Sequence, residues 1–344
     1  MNIIKQLLLI TILIILLSIT ECQTNKNCVD PDGNSVDWYM IHLLQARFKS
    51  YSYTDDNHKL KIYEMNKTNF PPMVSVQDLN TFDNNFAVWN DDNIRDSSSY
   101  SSQAHSKGII SFNSISGYII SHSVPKFPFL KEEKFSNDFP STLGAYAQTF
   151  MCISMDVKNL GIYMDNVAKI RPGVQFYLSD NLKASEITKK LEFFVSESRK
   201  DKNPVNFEVK SLKGRSFQIF VKPDTLEVLP WDSDVPNFYK ESFLVATWTR
   251  PAMLPNVCSK YSTINAINYS INGMAFRNTQ DHSKWGVSNS VVCIGDLNRT
   301  NSQLKRSGTA ICLKDHHIAE AMIQIITNAP SNCASNVSLN KFSF

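Results

Sequence analysis

The chain has 344 residues, 42% of them hydrophobic, and 35 Lys and Arg against 32 Asp and Glu give a formal net charge of +3. This composition excludes a long disordered tail and leaves enough apolar residues for one large domain or two intimate lobes around a real core. Only 11 glycines are present, which leaves little room for a phosphate-cradling Gly-rich loop.

At the N-terminus, Lys5 precedes the apolar run Leu7 to Leu17, and Ser18 and Thr20 follow. The pattern reads as a secretory signal over 1–22, cleaved near Cys22-Gln23. The run is short for a membrane span, and no later one approaches the ~18 apolar residues a span needs, so no membrane partner is expected after cleavage. Cleavage removes one of seven cysteines and leaves Cys28, Cys152, Cys258, Cys293, Cys312 and Cys333. An even count in a secreted chain points to disulfides, although counting does not choose among the many pairings. The wide spacing excludes a Cys-x-x-Cys zinc knuckle. Asn-x-Ser/Thr glycosylation acceptors at Asn66, Asn268, Asn298 and Asn336 fit the same route. Protonating all seven histidines in an acidic compartment takes the charge to 3 + 7 = +10, before any carboxylate is counted, and strengthens the hold on a polyanion.

In chain order, Val36 to Ile41 and Phe86 to Trp89 are rich in β-formers and predict strands. The polar stretch Asn90 to Gln103 predicts a loop in which Asp91-Asp92 is a solvated turn rather than a metal site. Gly108 to Phe112 and Gly117 to His122 predict a hairpin about Asn113 to Ser116, and Gln148 to Ser154 a further strand. Ile187, Leu191 and Phe194 are spaced for one face of a helix over 185–194. Phe207 to Val209 and Phe217 to Val221 predict a second hairpin closed by Lys213-Gly214-Arg215. Ser242 to Trp248 and Val291 to Ile294 predict strands. Ala319 to Ile326 predicts a C-terminal helix that turns Ile318, Met322, Ile325 and Ile326 inward. His316-His317 at its start point in different directions on a helix and read as surface residues.

The chemistry is carried by two copies of one short pattern, His105-Ser106-Lys107 and His282-Ser283-Lys284, 282 − 105 = 177 residues apart. On an extended chain the i and i+2 side chains leave one face, so each copy aims an imidazole and an ammonium at one spot. Lysine suits a non-bridging phosphate oxygen, and histidine serves as attacking nitrogen or as proton donor to a leaving alkoxide. A single His-x-Lys is a weak signal; two copies beside β-patterned segments in different halves point to a two-lobed phosphodiesterase. No His-Glu-x-x-His or Gly-x-Ser-x-Gly pattern competes, and no metal or other cofactor is expected.

Further residues give the pattern a family. Val36-Asp37-Trp38 after Cys28, Ala104 to Gly108, His122-Ser123-Val124-Pro125, Gln148 to Cys152, Leu254 to Cys258, Asp281 to Trp285 and Gly295 to Arg299 occur in an order that resembles the deoxyribonuclease II family, related in fold to the phospholipase D superfamily. The resemblance implies an α+β or α/β pseudo-twofold molecule over 23–344. Its halves, about 23–200 and 201–344, would each give a mixed sheet flanked by helices, with the two motifs meeting in one cleft. It implies His105, Lys107, His282 and Lys284 as catalytic residues, one histidine forming a phosphohistidine and the other protonating the leaving 5′ oxygen. It also implies the disulfides Cys28–Cys152, Cys258–Cys333 and Cys293–Cys312. The superfamily's Asp or Asn seven residues after the histidine is Asn289 in the second half; in the first half Phe112 fills that slot, with Asn113 next and His122 as a further polar site residue. Asn298 fits a later polar site position, and its sequon is then either unused or outside the site. A family cysteine after the second motif's tryptophan is Gly286 here.

The function expected on this basis is an acid, metal-independent endonuclease on double-stranded DNA, lysosomal or secreted, leaving 3′-phosphate and 5′-hydroxyl ends. One chain suffices for the site, and a homodimer is compatible with it. Competing readings are a phosphodiesterase on RNA or phospholipid, since the motifs report phosphate and not what is attached to it, and a non-enzymatic secreted DNA-binding protein, against which the intact histidines and lysines argue.

Overall fold

The structure, a computed structural model, describes residues 25–66, 69–81, 85–95, 103–136, 145–179, 185–196, 203–250, 252–330 and 333. The expected signal over 1–22 and the acceptor Asn336 lie outside these residues.

Two large sheets organise the chain. The first comprises β1 (Trp38–Leu43), β2 (Ser50–Asp55), β3 (Lys61–Glu64), β4 (Asn85–Trp89), β5 (Gly108–Phe112), β6 (Ser116–His122), β7 (Gln148–Asp156) and β8 (Val174–Leu178), in the spatial order β8-β4-β5-β6-β7-β1-β2-β3. The second comprises β9 (Val205–Lys210), β10 (Ser216–Lys222), β11 (Phe243–Ala246), β12 (Thr263–Asn265), β13 (Trp285–Val287), β14 (Val291–Gly295) and β15 (Gly308–Lys314), in the order β12-β11-β13-β14-β15-β10-β9. Laid side by side, β4-β5-β6-β7 and β11-β13-β14-β15 run in the same chain order, each continued by two antiparallel strands, β1-β2 or β10-β9; at the opposite edge β8 lies antiparallel to β4 and β12 parallel to β11. The helices are α1 (Pro71–Gln77), α2 (Val157–Val167), α3 (Glu186–Val195), α4 (Asp234–Tyr239) and α5 (His316–Gln324). In both sheets the central strand, β7 or β15, runs into a helix capped by aspartate: Asp156 accepts from the Asn159 N–H and Asp315 from the Ile318 N–H.

This is an α+β architecture. A mixed sheet was expected in each half, and only the second has one, through the parallel pair β11–β12; the first is antiparallel throughout. The tight turn Asn113 to Ser116 can join only antiparallel neighbours, whereas the 16 residues 247–262 between β11 and β12 are long enough for a parallel crossover.

Each sheet is buried on both faces. From β1, Trp38 and Met40 enter a core shared with β10, β14, β15 and the helices α2, α3 and α5, while Tyr39 and Ile41 enter another beneath α1. Phe220, Val245, Val291 and Cys293 form a third core with Val235 of α4. Two-sided burial is why the strands read as nearly continuous apolar runs.

The expected strand over 36–41 is divided: Ser35–Val36 pairs with Cys28–Val29, β1 begins at Trp38, and between them the Asp37 carboxylate accepts from Ser211 Oγ at 2.5 Å and the Lys213 N–H at 2.8 Å. The C-terminal helix ends at Gln324, and Ile326 opens a short strand, Ile326–Asn328, in a three-stranded ribbon; Ile318, Met322, Ile325 and Ile326 are buried as expected. The disulfides are Cys28–Cys152, Cys258–Cys333 and Cys293–Cys312, the pairing that the resemblance implies. No helix among the described residues is long and apolar enough to cross a membrane.

Candidate active site

His105, Lys107, His282 and Lys284 line one cleft of about 210 Å³, together with Asp92, Ser123, Trp248, Arg250, Asn298 and Thr300. Each motif immediately precedes a strand, β5 or β13, rather than lying within it. Alternation survives all the same: Ser106 and Ser283 are buried, and Ser106 Oγ accepts from Trp89 Nε1 at 3.1 Å, leaving histidine and lysine to the cleft. Glycine at 108 is required by that packing, since a Cβ there would run into the Trp89 ring.

Equivalent hydrogen bonds hold the two motifs. The His105 N–H donates to Ser307 O at 2.9 Å and the His282 N–H to Ala147 O at 2.8 Å, so each histidine hangs from the other half of the chain. Lys107 O accepts from the His122 N–H at 3.2 Å, and Lys284 O from the Gly295 N–H at 2.9 Å. One residue further on, the Ser123 N–H donates to Thr149 O and the Asp296 N–H to Thr309 O. Lys222, itself buried, donates from Nζ to Leu304 O and Arg306 O, both at 2.8 Å, and so steadies the loop that presents Ser307.

The side chains, by contrast, are held differently. His105 Nδ1 lies 2.6 Å from Asp296 O. A carbonyl can only accept, so the proton sits on Nδ1 and the lone pair on Nε2. His282 stacks on Tyr146, with centroids 3.9 Å apart and planes 11° apart, and meets Trp248 at 4.3 Å. Its Nε2 is buried, with no hydrogen-bond partner among the described residues.

Burial and nearby lysines favour the neutral form of both imidazoles. Burial and then Lys107 push His105 well below the usual histidine range, and burial and Lys284 push His282 down to about 3. Lys284 donates to His282 O at 2.5 Å, and burial followed by Lys107 lowers its ammonium to about 7. Asp296 is raised to about 6 by burial, against hydrogen bonds from the Thr309 N–H and hydroxyl.

The solvated turn expected at Asp91-Asp92 is corrected. Asp91 is buried, pairs with Lys107 and with Arg306 at 3.1 Å, and lies 3.7 Å from His105 Nε2. Burial raises its carboxyl, but Lys107, His105 and Arg306 outweigh that and hold it well below the carboxylate range. Asp92 lines the cleft. A polar loop composition masked this arrangement, because Lys107 and His105 lie beyond the loop and Arg306 comes from the other half of the chain.

Asn298 is brought to the cleft and is buried, and its Oδ1 has no hydrogen-bond partner among the described residues. Asn66 is exposed and Asn268 half-buried. His122 lies behind the lining, packed on Phe127 and Phe150, and burial followed by Lys107 lowers its pKa. Asn289 is not brought to the cleft: it is exposed on the turn between β13 and β14, where its carbonyl lies 2.9 Å from His316 Nδ1. His316 and His317 are exposed, as expected. The reading by sequence missed Ser123, Tyr146 and Trp248; Ser123 alone carries a signal, through its place in the His122-Ser123-Val124-Pro125 stretch. Among the described residues no three His, Cys, Asp or Glu side chains gather as a metal-binding cluster.

A family model described as deoxyribonuclease II matches residues 27–332. The chain belongs to the deoxyribonuclease II family. It is 26% identical over 324 residues to cell-death-related nuclease 7 of Caenorhabditis elegans, covering 85% of this chain and 84% of that one. It is 28% identical over 323 residues to deoxyribonuclease-2-beta of Mus musculus, covering 86% and 89%. Deoxyribonuclease-2 of Caenorhabditis elegans is 24% identical over 375 residues, covering 94% and 98%. The deoxyribonuclease II match thus spans both His-x-Lys motifs and both large sheets.

Proposed function

We propose that the cleft hydrolyses double-stranded DNA at acidic pH without a metal ion, through a phosphohistidine, leaving 3′-phosphate and 5′-hydroxyl ends. The observation that carries this reading is the convergence of two His-x-Lys pairs, one from each half, on a single cleft. His105, with its Nδ1–H tied to Asp296 O, offers the Nε2 lone pair and is the nucleophile. It attacks phosphorus, the P–O5′ bond breaks, and His282 gives its proton to the leaving oxygen. Water then attacks phosphorus and passes a proton to His282, the P–N bond breaks, and His105 recovers its electron pair. Lys107 and Lys284 supply the positive charge that developing phosphorane oxygens need.

Acid dependence follows from the same charges. A bound phosphodiester anion offsets the two lysines that suppress imidazole protonation, and mildly acidic solution supplies the one proton that the pair shares. The shared order of the four central strands in the two sheets supports kinship with the phospholipase D superfamily, and a lysosomal or secreted site of action suits the acid dependence. One chain carries the whole reading.

Incubation of the purified protein with plasmid DNA at mildly acidic pH in EDTA tests it. Nicked and linear products are expected, labelled by polynucleotide kinase without prior phosphatase treatment. Activity abolished by EDTA and restored by magnesium, or DNA retained uncut, would overturn the assignment; products that need phosphatase first would place the cut on the other bond.

A further inference from the structure

The two motifs are alike in sequence, but their histidines have different surroundings. His105 is fixed by a hydrogen bond at Nδ1. His282 is fixed by rings. Tyr146 covers its face at 3.9 Å and 11°, and Trp248 approaches at 4.3 Å and 51°. The Tyr146 and Trp248 centroids are 6.2 Å apart, less than two rings on opposite faces would give, so Trp248 closes an edge and leaves the second face of the imidazole uncovered by these two rings. The charged groups acting on His282 are Lys284 and Lys107, which oppose its protonation, and Asp281, which favours it.

An aromatic face attracts a cation and makes no claim on either ring nitrogen. A ring held this way keeps its orientation in both protonation states, whereas one fixed by a hydrogen bond to a carbonyl keeps a single tautomer. The proton-transferring histidine of the proposed reaction has to change state twice per turnover and the nucleophile has to present one lone pair. We propose that Tyr146 and Trp248 are positioning residues that assign His282 to proton transfer, and so decide which of two similar motifs attacks phosphorus. The inference rests on the phosphodiesterase reading above. Tyr146 also belongs to the segment that carries Ala147, whose carbonyl accepts from the His282 N–H, so ring and backbone are placed by the same stretch of chain.

The test compares two leaving groups. Plasmid DNA loses a 5′ alkoxide, which needs a proton; thymidine 3′-(4-nitrophenyl phosphate) loses nitrophenolate, which does not. For Tyr146→Leu and Trp248→Leu, DNA cleavage is expected to fall at least about tenfold, within the hundredfold or more that general acid catalysis is worth. The pre-steady-state burst of nitrophenolate in Tyr146→Leu, whose ring is outside the cleft lining, should stay within about threefold of wild type, and Tyr146→Phe, which keeps the ring, should restore most of the DNA cleavage. Equal loss on both substrates in a Tyr146→Leu protein that melts like wild type would mean the ring serves packing only and would overturn the proposal. A burst lost in His282→Ala but kept in His105→Ala would overturn the assignment of roles. Wild-type protein inactive on both substrates would instead remove the phosphodiesterase reading itself.

Discussion

The charge on Lys284 is conditional. Burial and Lys107 lower its ammonium to about 7, so below that pH it is a cation for a non-bridging oxygen, and above it the cleft loses one of its two motif charges. Since kcat/KM reports the free enzyme, the decline that loss of the shared imidazole proton imposes on the basic side is expected to steepen near neutrality, where Lys284 loses its charge. Lys284→Arg keeps the charge at all relevant pH values but changes its shape, so its maximum should be lower and its basic limb should lack that steepening. A steepening that stays in place in that variant would mean another group titrates. Lys284→Gln is expected to lose about 100-fold in kcat, the scale for removing one donor to a developing oxyanion. His105→Ala and His282→Ala should each abolish nearly all turnover, and the double variant should be hardly worse, because the two act as a unit. A double variant whose losses multiply would show that each histidine retains independent catalysis.

At the scale of elements, the loop after β4 is a structural part of the site. The Asp91 carboxylate is surrounded by Lys107, His105 and Arg306, and Asp91→Asn leaves buried cations without their counter-charge, at a cost of about 3–5 kcal/mol. The sign against pH follows from the direction of the shift. A carboxyl held below its ordinary value of 3.8 stabilises the fold above that value and loses the contribution only as pH falls through the lower, folded one. The melting difference between wild type and Asp91→Asn should therefore be equal at pH 5 and 7 and shrink only in stronger acid. A difference that already collapses between pH 7 and 5 would show that Asp91 is not held ionised.

Legibility in the sequence divides along the same lines. Strands β4 to β7 and the hairpin β9–β10 were readable because two-sided burial and turn residues act locally. Helix α2 was readable and missed: Leu160, Tyr163, Met164 and Val167 share one buried face at helical spacing. The slot seven residues after His282 failed because β13 is only three residues long, so residue 289 falls on the turn beyond it. The Tyr146–Trp248 pair could not be read at all, since its members lie far apart in sequence; for Asp91 only Arg306 is remote, and the intervening polar loop hides its pairing with Lys107.

The whole molecule is joined across its middle by polar as well as apolar contacts. Trp38 of β1 meets Phe217 of β10 edge-on at 6.0 Å, inside a core to which both sheets contribute. Asp37 accepts from Ser211 and Lys213 on the hairpin that joins β9 to β10, and the Leu212 N–H donates to Ser154 O at 2.9 Å. The His105 and His282 backbones each donate across the same divide. Lobes that share a core and exchange the hydrogen bonds supporting their catalytic residues cannot open independently without exposing apolar surface and orphaning buried polar groups. The oxidised protein should therefore unfold in one calorimetric transition, with calorimetric and van't Hoff enthalpies in agreement, and activity in urea should vanish along the same curve as the far-UV signal. Asp37→Ala removes the acceptor for the Ser211 hydroxyl and the Lys213 N–H, and should lower the midpoint of that single transition without splitting it. Two resolved transitions in the wild type, or activity lost well before secondary structure, would mean that the sheets are separate cooperative units and that the cleft is a docking of two lobes rather than part of one folded body.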